Sequence, residues 1–140
     1  MSEILVNKLT GTSTAGSILV TGEGNSTTTN LQQGLAKCWV NFDGTGTVAV
    51  RDSANITSLL DNGTADYTIS YANSLANDDY SISGISANMG STMSQIWIAN
   101  STYVAAGSFR MLTLYVSNTG GGGGAADQTF VSMQIMGDLA

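Results

Sequence analysis

From Ala36 onward the chain alternates between apolar and polar positions. Cys38, Val40 and Phe42 share one side of an extended segment, with Lys37, Trp39 and Asn41 on the other. A period of two marks a strand in a sheet with unlike faces. Asp43-Gly44-Thr45-Gly46 supplies residues that tolerate the positive φ of a tight turn. Val48 and Val50 then resume the apolar side, while Thr47 and Arg51 point away. Ala36–Ser53 thus predicts an antiparallel hairpin. Ile56–Leu60 reads as a short strand closed by an Asp61-Asn62-Gly63 turn, and Tyr67, Ile69 and Tyr71 line one face of the strand that follows.

Further on, Asn73–Asp79 is a polar connection with Leu75 as its anchor, and Tyr80, Ile82 and Ile85 mark another strand. The Gly/Ser/Met-rich run Ala87–Ser94 reads as a loop, and Gln95–Ala99 as a strand ended by Asn100-Ser101. In Ser108–Val116, Leu112, Leu114 and Val116 occupy one face and Phe109, Met111 and Tyr115 the other. Apolar residues on both faces predict a central strand, or one covered by a neighbouring subunit. The glycine run Gly120–Gly124 is expected to be a flexible connection, because glycine loses the most backbone freedom on ordering. In the last strand, Thr129–Met136, Val131, Met133 and Ile135 oppose Phe130, Ser132, Gln134 and Met136.

Ahead of this lies a thinner segment. Glu3–Leu9 and Ser17–Thr21 read as short strands, separated by the Gly/Ser/Thr-rich stretches Gly11–Gly16 and Gly22–Asn30. Two such strands cannot bury a core alone, so residues 1–35 are expected to form an arm, with Leu31–Leu35 leading into a main domain at 36–140. Short strands at this spacing, with almost no helical periodicity, predict an all-β fold: an antiparallel, jelly-roll-like β-sandwich with a short extended N-terminal arm.

Composition narrows the function. Of 140 residues only 10 % are charged, 17 are glycine, and there is neither proline nor histidine; the 42 % apolar share is too high for a disordered chain. Net charge is −6 with four basic residues, Lys8, Lys37, Arg51 and Arg110, and this argues against nucleic acid, which needs clustered positive charge. The apolar runs are far shorter than a membrane span, and Met1-Ser2-Glu3 does not open a signal peptide, so assembly in a cytoplasm without membrane insertion is expected. The lone Cys38 can form no internal disulfide and reads as a small buried hydrophobe.

Without histidine, the usual base of serine and cysteine hydrolases is missing, as are the common zinc ligand sets. A glycosidase pair from Asp78 and Asp79 is disfavoured, because neighbouring residues point apart in a turn-like stretch. Asp61-Asn62-Gly63 with Asp66 is the nearest approach to a calcium loop, and a hairpin turn explains it better. A phosphate cradle at Gly120–Gly124 lacks the following lysine and helix. No catalytic, cofactor or metal site is therefore expected. Exposed aromatics are the remaining candidates: Trp97 and Tyr103 flank the polar stretch Asn100-Ser101-Thr102. For Trp97, packing in the core is weighted above stacking on a ligand, because Ile96 and Ile98 leave its facing undecided. Trp97, Asn100 and Tyr103 stand as possible receptor or glycan contacts, since binding tends to sit on loops.

The stretch Ala36–Tyr71 also resembles a module of phage tail-fibre and virion-fibre proteins, patterned Ala-x-x-Trp-Val-Asn-Phe-x-Gly-Thr-Gly-Thr-Val. The matching residues are Trp39–Val48, Arg51–Ile56, Asp61–Thr64 and Asp66–Ile69. Phe130–Asp138 weakly echoes the strand ending Gly-Asp that closes such proteins, and Ser2–Lys8 resembles the opening of phage fibre chains. Cys38 stands where a small residue such as alanine is the pattern, and Gly84–Asn118 has no counterpart. The resemblance implies a non-enzymatic virion structural protein without cofactor, a tail-fibre component acting in host attachment. Its expected partners are two further copies in a homotrimer, other virion proteins through the arm, and a host surface glycan or protein. A head fibre, a capsid decoration protein and a carbohydrate-binding module are the alternatives.

Overall fold

The computed structural model describes residues 4–11, 18–21, 27–87, 92–98, 100–117 and 121–140. The chain divides into two compact units, Met1–Leu35 and Ala36–Ala140.

In the first unit, β1 (Leu19–Thr21) pairs antiparallel with β2 (Thr28–Asn30), Leu19 opposite Asn30. The Leu31 N–H extends the ladder to the Ile18 carbonyl at 2.9 Å. Asn30 Oδ1 then accepts the Gln32 N–H at 2.7 Å and closes a turn. The strand expected over Glu3–Leu9 is corrected: residues 4–9 join no ladder and stay exposed, Ile4 at 85 %. Ile4-Leu5-Val6 is a continuous apolar run that pairs with no strand among the described residues, and Glu3 lies outside them. Of the second expected strand, Ser17 lies outside the described residues and Ile18 precedes β1, whose partner is Thr28–Asn30, read as connection.

The second unit is an all-β antiparallel sandwich. Sheet I orders β4 (Ala49–Ala54), β3 (Ala36–Asp43), β12 (Phe130–Met136) and β7 (Ser81–Ala87). Sheet II contains β5 (Ile56–Gly63), β6 (Asp66–Tyr71), β8 (Thr92–Trp97), β9 (Val104–Ala105), β10 (Ser108–Ser117) and β11 (Gly123–Ala125). β10 is its spine: β6 and β11 pair along one edge, β9 and β8 along the other. The strand with two apolar faces is thus central. It bonds on both edges and buries Phe109 and Met111 inward.

The period of two places the core. Cys38, Val40 and Phe42 of β3 and Val131, Met133 and Ile135 of β12 meet Tyr67, Ile69 and Tyr71 of β6 and Phe109 and Met111 of β10. The Phe42 and Tyr67 rings meet edge-on across the sheets at 5.0 Å between centroids. Burying each large apolar side chain contributes roughly 1.5–3 kcal/mol. Leu75, 2 % exposed, anchors its connection as expected. Burial pushes the Cys38 thiol up to about 11, which keeps it protonated and unreactive.

Polar groups close the two ends of this layer. At one end the Tyr67 hydroxyl bonds Asp127 Oδ1 at 2.8 Å and the Gly44 carbonyl at 3.1 Å, and burial pushes its pKa up. The same Asp127 oxygen accepts the Ala65 N–H at 2.6 Å. Fully buried Gln128 accepts a bond from the Ser94 hydroxyl at 2.9 Å. At the other end Asn55, at φ 58°, turns the chain from sheet I to sheet II. Its Nδ2 donates to the Lys37 and Asn73 carbonyls, and its Oδ1 accepts the Asn73 N–H at 2.7 Å. Asparagine tolerates this left-handed backbone better than most residues.

Several turn expectations are corrected. β5 runs through Asp61-Asn62-Gly63, and the reversal comes at Thr64-Ala65, with Ala65 at φ 64°. A bulge between Asp61 and Gly63 absorbs the turn-like sequence. Val50 is 45 % exposed on the edge strand β4, beyond a bulge at Asn41/Phe42, while Gly46 at φ 62° supplies the positive φ of the hairpin. Ile85 lies in β7 but is 65 % exposed. Of the loop expected at Ala87–Ser94, Ala87 ends β7 and Thr92–Ser94 begin β8; residues 88–91 lie outside the described residues. Within Gly120–Gly124, Gly123 and Gly124 form β11 against Val116 and Tyr115. A Cβ on Gly123 would collide with the Tyr115 carbonyl, so the ladder here needs glycine. Gly120 lies outside the described residues.

Candidate binding face

The outer face of sheet II gathers residues from distant parts of the chain. On β10 the inward set is Phe109, Met111 and Thr113, so Arg110, Leu112 and Leu114 point outward. Asp66 and Trp97 stand opposite Leu112 on either side, and Thr68 stands opposite Arg110. Trp97 is 53 % exposed, whereas its neighbours Ile96 and Ile98 pack on the core. Core packing, the reading weighted first for Trp97, is thereby corrected. Ile96 pairs with inward-facing Thr113, so the register turns Trp97 outward.

Beyond β8, a 3-10 turn spans Ser101–Tyr103. Asn100 caps it, its Oδ1 accepting the Thr102 N–H at 3.0 Å. That acceptor is spent on the chain itself, so the structure gives Asn100 a positioning role. The Asn100 cap sets Tyr103, whose ring lies 4.7 Å from the Arg110 guanidinium carbon. Arg110 in turn grips Asp66 in two parallel bonds, Nε to Oδ1 at 2.7 Å and Nη2 to Oδ2 at 2.5 Å. Such planar pairing fixes both side chains. Asn62 Nδ2 donates to the same Asp66 Oδ1 at 3.2 Å and to Thr68 Oγ1 at 2.8 Å. The Arg110 bond, with help from Asn62, holds the Asp66 carboxyl below its ordinary range against partial burial; the same bond raises Arg110.

Trp97 and Tyr103 thus come to one face, with exposed Asn100 capping the turn that carries Tyr103. Sequence reasoning missed Arg110, Asp66, Asn62 and Thr68 as members of this group. Arg110 and Asp66 are 44 positions apart. The legible signal was a single arginine set between Phe109 and Met111 at outward parity, in a chain with four basic residues. Asp66, read as a neighbour of a calcium-like turn, is committed to Arg110, and no group of three metal-ligating side chains exists among the described residues. Asp78 and Asp79 are exposed in the connection before β7, where Asn77 Oδ1 accepts the Asp79 N–H.

Sheet I presents a different outer face. Trp39, Ser83, Ile85, Ser132 and Gln134 line a shallow open groove. At its edge Arg51 bonds the carbonyls of Phe42 at 2.9 Å and Thr129 at 2.5 Å and the Asp43 carboxylate at 2.9 Å, tying β4 to its neighbours.

The second unit is therefore an all-β antiparallel sandwich with a mixed aromatic and ion-paired outer face. No family model, curated protein or solved structure matches this chain.

Proposed function

We propose that the chain is a non-enzymatic structural protein of a phage virion, a homotrimeric tail-fibre component that acts in host attachment. The observation that carries this reading is the stretch Ala36–Tyr71. Its residues resemble the virion-fibre module, and in the fold they form a working framework. Val40, Phe42, Tyr67 and Ile69 supply core, Arg51 ties β4 to β3 and to Thr129 just ahead of β12, and Asn55 turns the chain between sheets.

Two features support the assigned roles. The unit Met1–Leu35 exposes Ile4, Leu5, Val6 and Leu9, apolar surface suited to packing on a virion protein or on further copies. The outer face around Trp97 and Tyr103 offers a preorganised surface for contact with a host.

The test uses purified chain and the virions that carry it. Light scattering should give the mass of three chains, and added chain should compete with virions for adsorption to host cells. Gold-labelled antibody should decorate the tail. Label on the head makes the protein a head fibre or decoration protein, and absence from the particle with no competition overturns the reading.

A further inference from the structure

The ion pair at the centre of the sheet II face decides what that face can hold. Among the described residues Arg110 and Asp66 are its only charged side chains, and each neutralises the other. We propose that this face binds a neutral saccharide, an uncharged hexose chain stacked on Trp97 and hydrogen-bonded by Arg110, Asp66 and Thr68. This inference rests on the attachment reading and names its ligand.

Three observations lead there. First, Trp97 is a large ring left 53 % exposed beside Leu112, with no role between the sheets. The C–H face of a pyranose is apolar and matches such a ring, and a half-exposed indole is well suited to it. Second, the polar groups beside the ring are held still before any ligand arrives. Tyr103 backs the guanidinium at 4.7 Å, Asp66 clamps it through Nε and Nη2, and Asn62 fixes both Asp66 and Thr68. Preorganised groups lose little freedom on binding. Third, the donors and acceptors are mixed. Arg110 Nη1 has no partner among the described residues, the Thr68 hydroxyl keeps its proton for a ligand, and the Asp66 oxygens accept. Vicinal sugar hydroxyls both donate and accept, so they satisfy such a set.

An anionic glycan fits worse. A sulfate or carboxylate at the remaining Nη1 edge of Arg110 would lie near the Asp66 carboxylate, and the pair carries no net positive charge to offset that repulsion. The face therefore discriminates by charge as well as by shape.

The experiment is calorimetric titration of the full chain with neutral glucose, galactose and mannose tetrasaccharides and with their sulfated counterparts, followed in parallel by tryptophan fluorescence. At least one neutral tetrasaccharide should bind and shift the emission, with the sulfated form about tenfold weaker or worse. Trp97→Ala should weaken binding by about tenfold while melting stays near wild type. Ile85→Ala, on the other sheet, should leave binding unchanged. Asp66→Asn should release the positive charge of Arg110 and move the preference toward the sulfated ligands by about tenfold. Binding by none of the tetrasaccharides, or a wild-type preference for the sulfated ones, overturns the inference. If the chain then still competes for adsorption, only the ligand class has failed. If a neutral tetrasaccharide binds without competition, the ligand class stands and the attachment role falls.

Discussion

The two tryptophans stand on the outward sides of the two sheets and meet opposite fates. Trp39 lies in β3, flanked by Ala54 of β4 and Gln134 of β12, and is half-buried. Trp97 ends β8 at the margin of sheet II and is 53 % exposed. Both have the outward parity of their strands. Strand position separates them: a neighbour on each side covers Trp39, while among the described residues Trp97 is paired on one side, with Leu112. The surroundings differ as well. Trp39 borders a groove of serine, glutamine and isoleucine, and Trp97 belongs to a face centred on the Arg110–Asp66 pair. The lesson is that outward aromatics are not equivalent, and that neither holds the sandwich closed.

That comparison sets a ranking against the interior. Phe42→Ala, three residues along β3 from Trp39 on the inward face and fully buried, should cost about 3–5 kcal/mol in denaturant unfolding. Trp39→Ala should cost about 1–2 kcal/mol, in proportion to its partial burial. Trp97→Ala should stay within about 0.5 kcal/mol of wild type. A loss at Trp97 equal to that at Trp39 would break the comparison and make Trp97 a packing residue.

The closing contacts lie at the ends of the core layer. Tyr67→Phe deletes the hydroxyl that joins Asp127 Oδ1 and the Gly44 carbonyl, and should cost about 1–3 kcal/mol, because the buried Gly44 carbonyl loses this donor and Asp127 Oδ1 keeps only the Ala65 N–H. At the opposite end, Asn55→Ala forfeits both the side-chain bonds and tolerance of φ 58°, at about 1–2 kcal/mol. Asn55→Gly should recover the backbone share, so a thermal melt of the two variants divides one contribution from the other. Equal losses would mean that the side chain alone matters.

The smallest effect concerns pH. Asp66 has a folded pKa depressed chiefly by its bonds to Arg110. A depressed carboxylate contributes stability above its unfolded value, about 4, and that contribution is lost as pH falls through the lower folded value. Stability should therefore stay level from neutral pH to about 5 and decline below it. Arg110→Gln should flatten part of that decline. Asp43 is also depressed, chiefly by its bond from the Thr45 hydroxyl, so the informative quantity is the difference between the two curves. Identical curves would mean that the pair adds nothing to folding and serves the face alone.

Much of the fold was legible in the chain. The inward sets of β3, β6 and β12 follow directly from alternation, because side chains on successive strand residues must point to opposite faces. The glycine run and Asp61-Asn62-Gly63 misled, since local turn chemistry competes with ladders that only distant partners provide. β11 forms because Leu114–Val116 offers an open edge, and β5 continues because Asp66–Thr68 pairs with it. The candidate face was half legible: Trp97 and Tyr103 were singled out, but Arg110 and Asp66 were not linked.

By itself the sequence determined the all-β class, the boundary between arm and main domain as an expectation, and which side of most strands is apolar. These are properties of composition and of a period of two, and they need no partner. The tertiary structure decided that β10 is the spine of sheet II, that Trp97 faces outward, and that Arg110 closes on Asp66 and Tyr103. Those outcomes depend on register between strands far apart in sequence, and a one-residue shift in register would send every one of these side chains to the opposite face.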